Sequence, residues 1–255
     1  MNNILKAEYK KFFKSVSFKV IIGLLLFFPL FMAITYKVLE SVAALEDVPI
    51  YGNVFNSLGS FMTSFNPVDN FGLIILIIIL FIITNDFTSG TIRNKIIGGY
   101  SKNEIYLSSF IFSISIVFVV TTIYAFLTYF LVGISLGFGN EKLIDLLKYY
   151  VTTITSVIVV YSFINIIIYK FKSFGISLGI ILGSLFIIMI FYSVISMGIN
   201  ENTNRIILLI MPFLQTFVPK VVNGLDILIM VVVNLFYISL LVYLGLRISE
   251  KEDYN

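Results

Sequence analysis

The side chains best suited to chemistry lie in one polar stretch, residues 85–105, which reads NDFTSGTIRNKIIGGYSKNEI. This stretch contains two acidic and three basic residues between two very apolar segments. His and Cys are absent from the whole sequence. The chain can therefore form no Ser–His dyad, no thiol nucleophile and no His-ligated metal site. We expect a protein that is not an enzyme and that has no metal site and no cofactor of its own.

Local rules predict a short helix, Thr91–Ile97, at the centre of this stretch. Asp86 ends the apolar segment before it and is expected to cap this short helix, and Gly90 supplies a break. The helical repeat is expected to place the apolar side chains towards one side and the polar ones in a more exposed position. The apolar set is Ile92, Ile96 and Ile97, and the polar set is Arg93, Asn94 and Lys95.

The same stretch also carries signals for where helices stop and start. Gly98-Gly99 is typical of a helix C-terminus. Ser101 lies three residues before Glu104, which predicts a capping box that opens the next helix. A plain connector between two membrane helices needs only a handful of residues. The length of this one, about twenty residues, indicates a further role.

The elements on either side of the polar stretch are expected to be membrane-spanning helices. Of the 255 residues, 59% are hydrophobic and only 12% are charged, whereas soluble domains carry about 25% charged residues. The apolar runs are too long and too continuous for barrel strands. We predict a single all-α polytopic transmembrane domain over residues 1–255. Its six spans are residues 16–36, 71–84, 105–131, 147–169, 174–197 and 227–246, the second extending upstream towards Pro67.

The distribution of Lys and Arg predicts the orientation of the chain. With both termini in the cytoplasm, twelve of the seventeen Lys and Arg residues lie on the cytoplasmic side. This bias agrees with the positive-inside rule and with an even number of spans. We therefore predict a multi-pass protein of the cell membrane, with the bilayer as a partner and no nucleic-acid partner.

Two further segments are expected to lie at the membrane surface. Residues 1–15 form an amphipathic pattern, with apolar side chains beside a row of lysines, which predicts an interfacial elbow helix. Residues 199–226 contain a short apolar core interrupted by Pro212. This core is too short for a straight span, so we predict an extracellular re-entrant or interfacial hairpin before the sixth span, in preference to a seventh span. Asp226, at the entrance to that span, is expected to face water.

The polar stretch resembles the signature segment of ABC-2-type permeases, the membrane subunits of one class of ABC transporter. That family places a polar residue at the end of its second span, followed by a Gly-Thr-aliphatic-basic-Asn run. The matching residues are Asp86, Gly90, Thr91, Ile92, Arg93, Asn94 and Ile96. The N-terminal LKAEYKK, which contains Glu8, also resembles the opening of these permeases. The motifs cover about twenty-five residues, and the six-span layout extends the resemblance over the chain.

The resemblance implies that Thr91–Ile97 is a coupling helix that docks on a separate ATPase subunit, with Glu8 near the same surface. Docking would use Ile92, Arg93 and Ile96. ATP and Mg²⁺ would be held by the partner, since this sequence lacks the GxxxxGK[ST] loop. A second permease subunit, identical or paralogous, would complete the transporter. The implied function is export of an amphipathic or hydrophobic substrate, such as a peptide toxin, a bacteriocin or a drug.

The alternatives are an ion-coupled secondary carrier and a membrane scaffold without an ATPase partner. A carrier usually needs an ionisable group within its spans, and we find no paired carboxylates there and no inverted repeat. Uncharged polar residues do occur within the spans. Asn165, Asn234 and Thr128 are candidates for lining a pathway, although such residues more often form hydrogen bonds between helices.

Overall fold

The computed structural model describes residues 1–45, 56–138, 142–217 and 223–252. The described residues form eleven helices. They are α1 (Asn2–Lys14), α2 (Val16–Leu45), α3 (Ser57–Thr63), α4 (Asn70–Thr88), α5 (Thr91–Ile97), α6 (Lys102–Leu136), α7 (Leu143–Phe171), α8 (Phe174–Ser196), α9 (Glu201–Ile210), α10 (Pro212–Gln215) and α11 (Gly224–Lys251).

Six of these helices, α2, α4, α6, α7, α8 and α11, are long and apolar enough to cross a membrane, which confirms a multi-pass all-α membrane protein. The second span differs from its prediction because α4 begins at Asn70 and does not reach Pro67. It gains length at its other end, where it runs to Thr88. The predicted span stops at the first polar residues, yet these continue the helix for another turn.

Helix α3 was not predicted from the sequence. The side chain of Asn56 caps it by accepting a hydrogen bond of 2.6 Å from the Gly59 amide. Its Phe61 is fully buried, and its ring packs edge-on against the rings of Phe126 and Tyr149. The signal that sequence reasoning missed was the N-cap, Asn56 followed by a small residue. The helix is too short to show a hydrophobic repeat, although it contains an apolar Phe-Met pair.

The centre of the bundle is formed by α6 and α7. Helix α7 packs against α6, α8, α10 and α11, and α6 also packs against α1, α2 and α3. Most of the side chains of α7 are buried, whereas α2, α8 and α11 bury few of theirs and leave many apolar side chains exposed. An apolar exposed surface of this extent is favourable only where the medium is hydrocarbon, as in a bilayer.

Met1 and Glu252, the first and last described residues, lie at the same end of the bundle, which we call the terminal end. The amino terminus of Met1 contacts Glu104 at 3.2 Å, at the start of α6. At the other end of the chain, Glu252 contacts Lys170 and Lys172 at 2.9 Å each, at the end of α7. Because Met1 meets the start of α6 and Glu252 meets the end of α7, the chain crosses the bundle an even number of times between these two residues. The cytoplasmic location of this end stays a prediction.

The break between α9 and α10 is stabilised by the side chain of Gln215. Pro212 has no amide hydrogen, so it cannot donate to the carbonyl of Leu208 one helical turn earlier. The Gln215 side-chain amide donates to that carbonyl instead, at 2.9 Å. Neither helix has the length of a span, and residues 218–222 of the expected hairpin lie outside the described residues. That the segment re-enters a membrane stays a prediction.

Gln215 also connects this hairpin to the middle of the bundle. Its side-chain oxygen accepts from Asn234 at 3.0 Å and from the hydroxyl of Ser156. A second contact joins α9 to α11, since Arg205 forms two hydrogen bonds with Asp226, at 2.6 and 3.0 Å. Asp226 is buried, so the expectation that it faces water is wrong. The bidentate pair with Arg205 compensates the carboxylate for the water that it loses.

We expect Gln215→Leu to destabilise the protein, because it keeps the side-chain volume but leaves the Leu208 carbonyl without its donor. An unsatisfied buried polar group costs about 1–3 kcal/mol. Ser239→Ala is the control, since its hydroxyl bonds only within its own helix and is exposed. Thermal unfolding in detergent should show a lower melting temperature for Gln215→Leu alone. Equal melting of the two variants would contradict this role of Gln215.

Candidate functional site

Four charged side chains meet where α1, α4 and α5 come together. We call Glu8, Lys11, Asp86 and Lys95 the ionic cluster. The ammonium of Lys95 donates to Glu8 and also to Asp86, the latter at 3.2 Å. Lys11 donates to the second oxygen of Asp86. The two carboxylates are almost fully buried, with 6% of Glu8 and 7% of Asp86 exposed.

The geometry of the chain near α5 brings Lys95 onto this cluster. Gly90 lies between α4 and α5 with a φ of +69°, in the left-handed region that favours glycine. Its amide donates to the Phe87 carbonyl, and its own carbonyl accepts from Asn94 in the first turn of α5. One residue thus ends one helix and opens the next. The sharp turn directs α5 back towards α1.

The predicted stop after α5 is a Schellman motif. Gly99 has a φ of +87°, and its amide donates to the Ile96 carbonyl. The Tyr100 amide donates to the Lys95 carbonyl, which completes the paired bonds of this motif. The predicted capping box comes next, since the Ser101 side chain accepts from the Glu104 amide and the Glu104 side chain accepts from the Ser101 amide. Helix α5 therefore has its predicted bounds.

A small apolar cluster attaches the other side of α5 to the bundle. Ile92 packs with Ile4 of α1 and Ile105 of α6, and all three are buried. Phe87 and Tyr100 flank them. Three buried aliphatic side chains supply about 1.5–3 kcal/mol each relative to full exposure. Helix α5 is thus held by an apolar contact and by an ionic contact, and both involve α1.

The charges of the ionic cluster balance, with two carboxylates and two ammonium groups. Removal from water disfavours the charged form of an acid, and so does a second carboxylate nearby. Burial, and next the Asp86 carboxylate, raise the pKa of Glu8 above its ordinary value of 4.5, while Lys95 and Lys11 oppose that shift. Glu8 is therefore protonated more readily than an exposed glutamate.

The structure separates the residues of the signature segment into two groups. Ile92 is only 2% exposed, so its side chain is committed to contacts within this chain. Arg93 and Asn94 are exposed, and Thr91 and Ile96 are half-buried. Ile97 is 76% exposed, so the expectation that it shares the buried side with Ile92 is wrong. The outward surface of α5 thus consists of Arg93, Asn94 and Ile97.

Two further expectations about this segment need correction. Asp86 does not cap α5, because it lies within the last turn of α4 and its carboxylate is bound by Lys11 and Lys95. Lys95 is not among the exposed residues, because its ammonium reaches across to Glu8 on α1. The expected proximity of Glu8 to α5 is present in the structure.

Sequence reasoning did not identify Lys11 and Lys95 as members of this site. A signal for both was available. Glu8 is the single acid in a basic helix, and Asp86 lies at the end of a very apolar one. Carboxylates in such places need a cation when they become buried. The sequence alone could not select which of the many nearby lysines supplies it.

The three candidate pathway residues are fully buried within the described chain. Asn165 donates to the Ser113 hydroxyl at 2.9 Å and to the Tyr161 carbonyl at 2.8 Å. Asn234 donates to Thr155, Ser156 and Gln215. Thr128 bonds within its own helix, to the Tyr124 carbonyl at 2.8 Å. Their hydrogen bonds connect helices or satisfy the backbone, and a role in a pathway stays a prediction.

No protein-family model, no curated protein and no solved structure matches this chain. The arrangement itself defines a class, a polytopic helical membrane protein with a short, rigidly held helix at its terminal end. The buried side of this short helix packs within the chain, and its outward side exposes a cation, an amide and an aliphatic group. Such a combination of side chains is suited to contact with another molecule.

We expect Lys95→Met to release α1 from the bundle, because it leaves buried Glu8 without a cation in contact and Asp86 with Lys11 alone. Removal of one partner from a buried ion pair costs about 3–5 kcal/mol. Faster amide hydrogen exchange in α1 would report the release. The triple variant Glu8→Gln/Asp86→Asn/Lys95→Met should restore protection, and the exposed Lys10→Met is the control. Unchanged exchange in Lys95→Met would contradict a structural role for the cluster.

We also expect the docking of α1 to depend on pH through Glu8. With its pKa raised, the folded state binds a proton more readily than the undocked state. Docking should therefore weaken as pH rises from 4.5 through the raised pKa, and then become constant. Glu8→Gln should remove this dependence. Exchange rates of α1 amides, corrected for the intrinsic effect of pH, test both the unmodified protein and the variant. An opposite slope in the unmodified protein would contradict the direction of the shift.

Proposed function

We propose that this chain is the membrane subunit of an ABC exporter, in which α5 docks on a separate ATPase subunit. The proposal rests mainly on how α5 is attached to the rest of the chain. The helix is short, has a glycine at each end and is attached to α1, α4 and α6 through buried groups. A mechanical load on α5 would therefore reach two spans and the N-terminal helix together.

The outward side of α5 suits a protein partner. Ile97 exposes an aliphatic side chain next to Arg93 and Asn94, with polar residues before and after the helix. A buried apolar anchor inside a polar rim is the usual anatomy of a protein interface. Docking is therefore assigned to Arg93, Asn94 and Ile97, while Ile92 and Ile96 support the helix from within the chain.

The transport step would be driven from outside this chain. The partner would bind ATP and Mg²⁺, and closure of its nucleotide sites would move α5 with the attached ends of α4 and α6. Two permease subunits would pair so that two coupling helices meet two ATPase subunits. The exported substrate would be amphipathic or hydrophobic, such as a peptide toxin, a bacteriocin or a drug. We further propose that the terminal end is cytoplasmic, which agrees with the distribution of Lys and Arg.

We expect Ile97→Asp to prevent co-purification of the ATPase subunit from the native membrane and to abolish substrate-stimulated ATP hydrolysis. An apolar side chain that fills a docking pocket contributes about 1.5–3 kcal/mol, or roughly ten- to hundred-fold in affinity. Arg93→Glu should weaken the complex as well. Ile97→Leu is the matched control, since it keeps the size and apolarity of the side chain.

These variants should leave the spans intact because the side chains of Ile97 and Arg93 are exposed. Hydrogen exchange of α1 and α4 should therefore match the unmodified protein, which separates lost docking from lost folding. If Ile97→Asp still assembles with an ATPase and transports at the normal rate, α5 is only a connector. Purification of the unmodified chain without any protein that carries a GxxxxGK[ST] loop would favour a carrier or a scaffold.

A further inference from the structure

A cavity of about 240 Å³ lies beside the ionic cluster, where α1 meets the start of α2 and the last turns of α4. Its floor includes Glu8 of the ionic cluster and the buried rings of Phe12 and Phe112. A single water needs about 10–15 Å³ of such space. The cavity is therefore large enough for a section of a hydrocarbon chain, and its walls are mainly apolar.

The mouth of the cavity has a polar side and an apolar side. Lys11 and Asn85 lie at the polar side, and both are exposed. Val16 and Phe81 lie at the apolar side, with 74% and 52% of their surfaces exposed. Exposed apolar groups on spans α2 and α4 indicate that this side opens towards the hydrocarbon medium. An occupant must therefore present a polar group and an apolar chain within one molecule.

The position along α4 gives the depth of the mouth. Asn85 and Phe81 are four residues apart in α4, which corresponds to about 6 Å along the helix axis. Asn85 lies in the last turn of that span, next to Asp86 of the ionic cluster. The mouth thus extends from the polar boundary of the span to its first apolar turn. A lipid has its headgroup and the first part of its chain at this level.

The charge around the mouth selects the headgroup. The exposed lysines of α1 are Lys6, Lys10, Lys11 and Lys14, against the single buried acid Glu8. The ammonium of Lys11 binds Asp86 but stays 48% exposed and has further donors to offer. An anionic group at the mouth would therefore gain from Lys11, the one lysine among the residues that line the cavity, and the other three lysines add to the positive charge of α1. A zwitterionic headgroup would gain less.

We propose that this cavity binds one anionic phospholipid. Its phosphate lies between Lys11 and Asn85, and one acyl chain passes between Val16 and Phe81 towards Phe12. The bound lipid contacts both the N-terminal helix and α4 from the membrane side, and Lys95 links the same two helices through Glu8 and Asp86. This inference concerns the chain in its bilayer and does not require the ATPase partner.

The absence of Trp from the sequence provides a clean test. In Phe81→Trp the single indole reports on lipid at the mouth, through quenching by brominated phosphatidylglycerol or brominated phosphatidylcholine in otherwise identical bilayers. Leu244→Trp is the reference, because Leu244 is exposed on α11 and lies, like Phe81, seven residues before the end of its helix. Arg247 and Lys251 lie close to this reference, so it includes the general attraction of anionic lipid to basic residues.

We define the preference as the ratio of quenching by brominated phosphatidylglycerol to quenching by brominated phosphatidylcholine. This ratio should be about five-fold larger at position 81 than at the reference, since one lysine near a surface contributes about that factor. Lys11→Gln should reduce the preference. Ser17→Phe fills the cavity while keeping every lysine, and should abolish the preference, whereas Ser17→Ala should retain it. Equal preference at the two indoles would mean surrounding bulk lipid only and would overturn the proposal. So would an unchanged preference in Ser17→Phe.

Discussion

The contact of Lys95 with Glu8 and Asp86 is the constraint on which the architecture of the terminal end depends. It brings Glu8 of α1 together with Lys95 of α5 and Asp86 of α4, which both lie far from it in the sequence. Both carboxylates are removed from water, and such a group is tolerated only with a cation close by. Helix α5 therefore cannot move away from α1 without exposing or unpairing buried charge. This requirement makes a seven-residue helix, too short to be stable alone, into a fixed part of the bundle.

Uncharged groups fix the break between α9 and α10 in a similar way. Pro212 interrupts the backbone hydrogen bonds between α9 and α10, and the Gln215 side chain supplies the missing donor to Leu208. The same side chain accepts from Asn234 and Ser156 and so joins the hairpin to α11 and α7. Within hydrocarbon, uncharged amides cost less to bury than ions. The positions of the two contacts agree with these costs, because the ionic contact lies at the polar boundary of the spans and the amide contact lies among the packed helices.

The outer helices α2, α8 and α11 have large apolar surfaces, and the polar contacts are concentrated at a few places such as these two. The terminal end combines the exposed side of α5 with an amphipathic cavity beside α1. Helix α1 contributes to both, through Glu8 and Ile4 on one side and through Lys11 and Phe12 on the other. The N-terminal helix is therefore the element through which a lipid and a docking partner could influence each other.

The sequence by itself determined the elements whose signals are local. Long apolar runs predicted the six membrane-capable helices, and Gly90, Gly98-Gly99 and the Ser101–Glu104 box predicted the bounds of α5, because backbone conformation and capping involve neighbours in the chain. Only the tertiary structure decided which faces those helices bury. Lys95 is partly buried and Asp226 is buried because each pairs with a charged residue of another helix, whereas Ile97 is exposed because no helix of the described chain packs over it. Helical periodicity places side chains around an axis, but the partner of each side is set by how the helices pack.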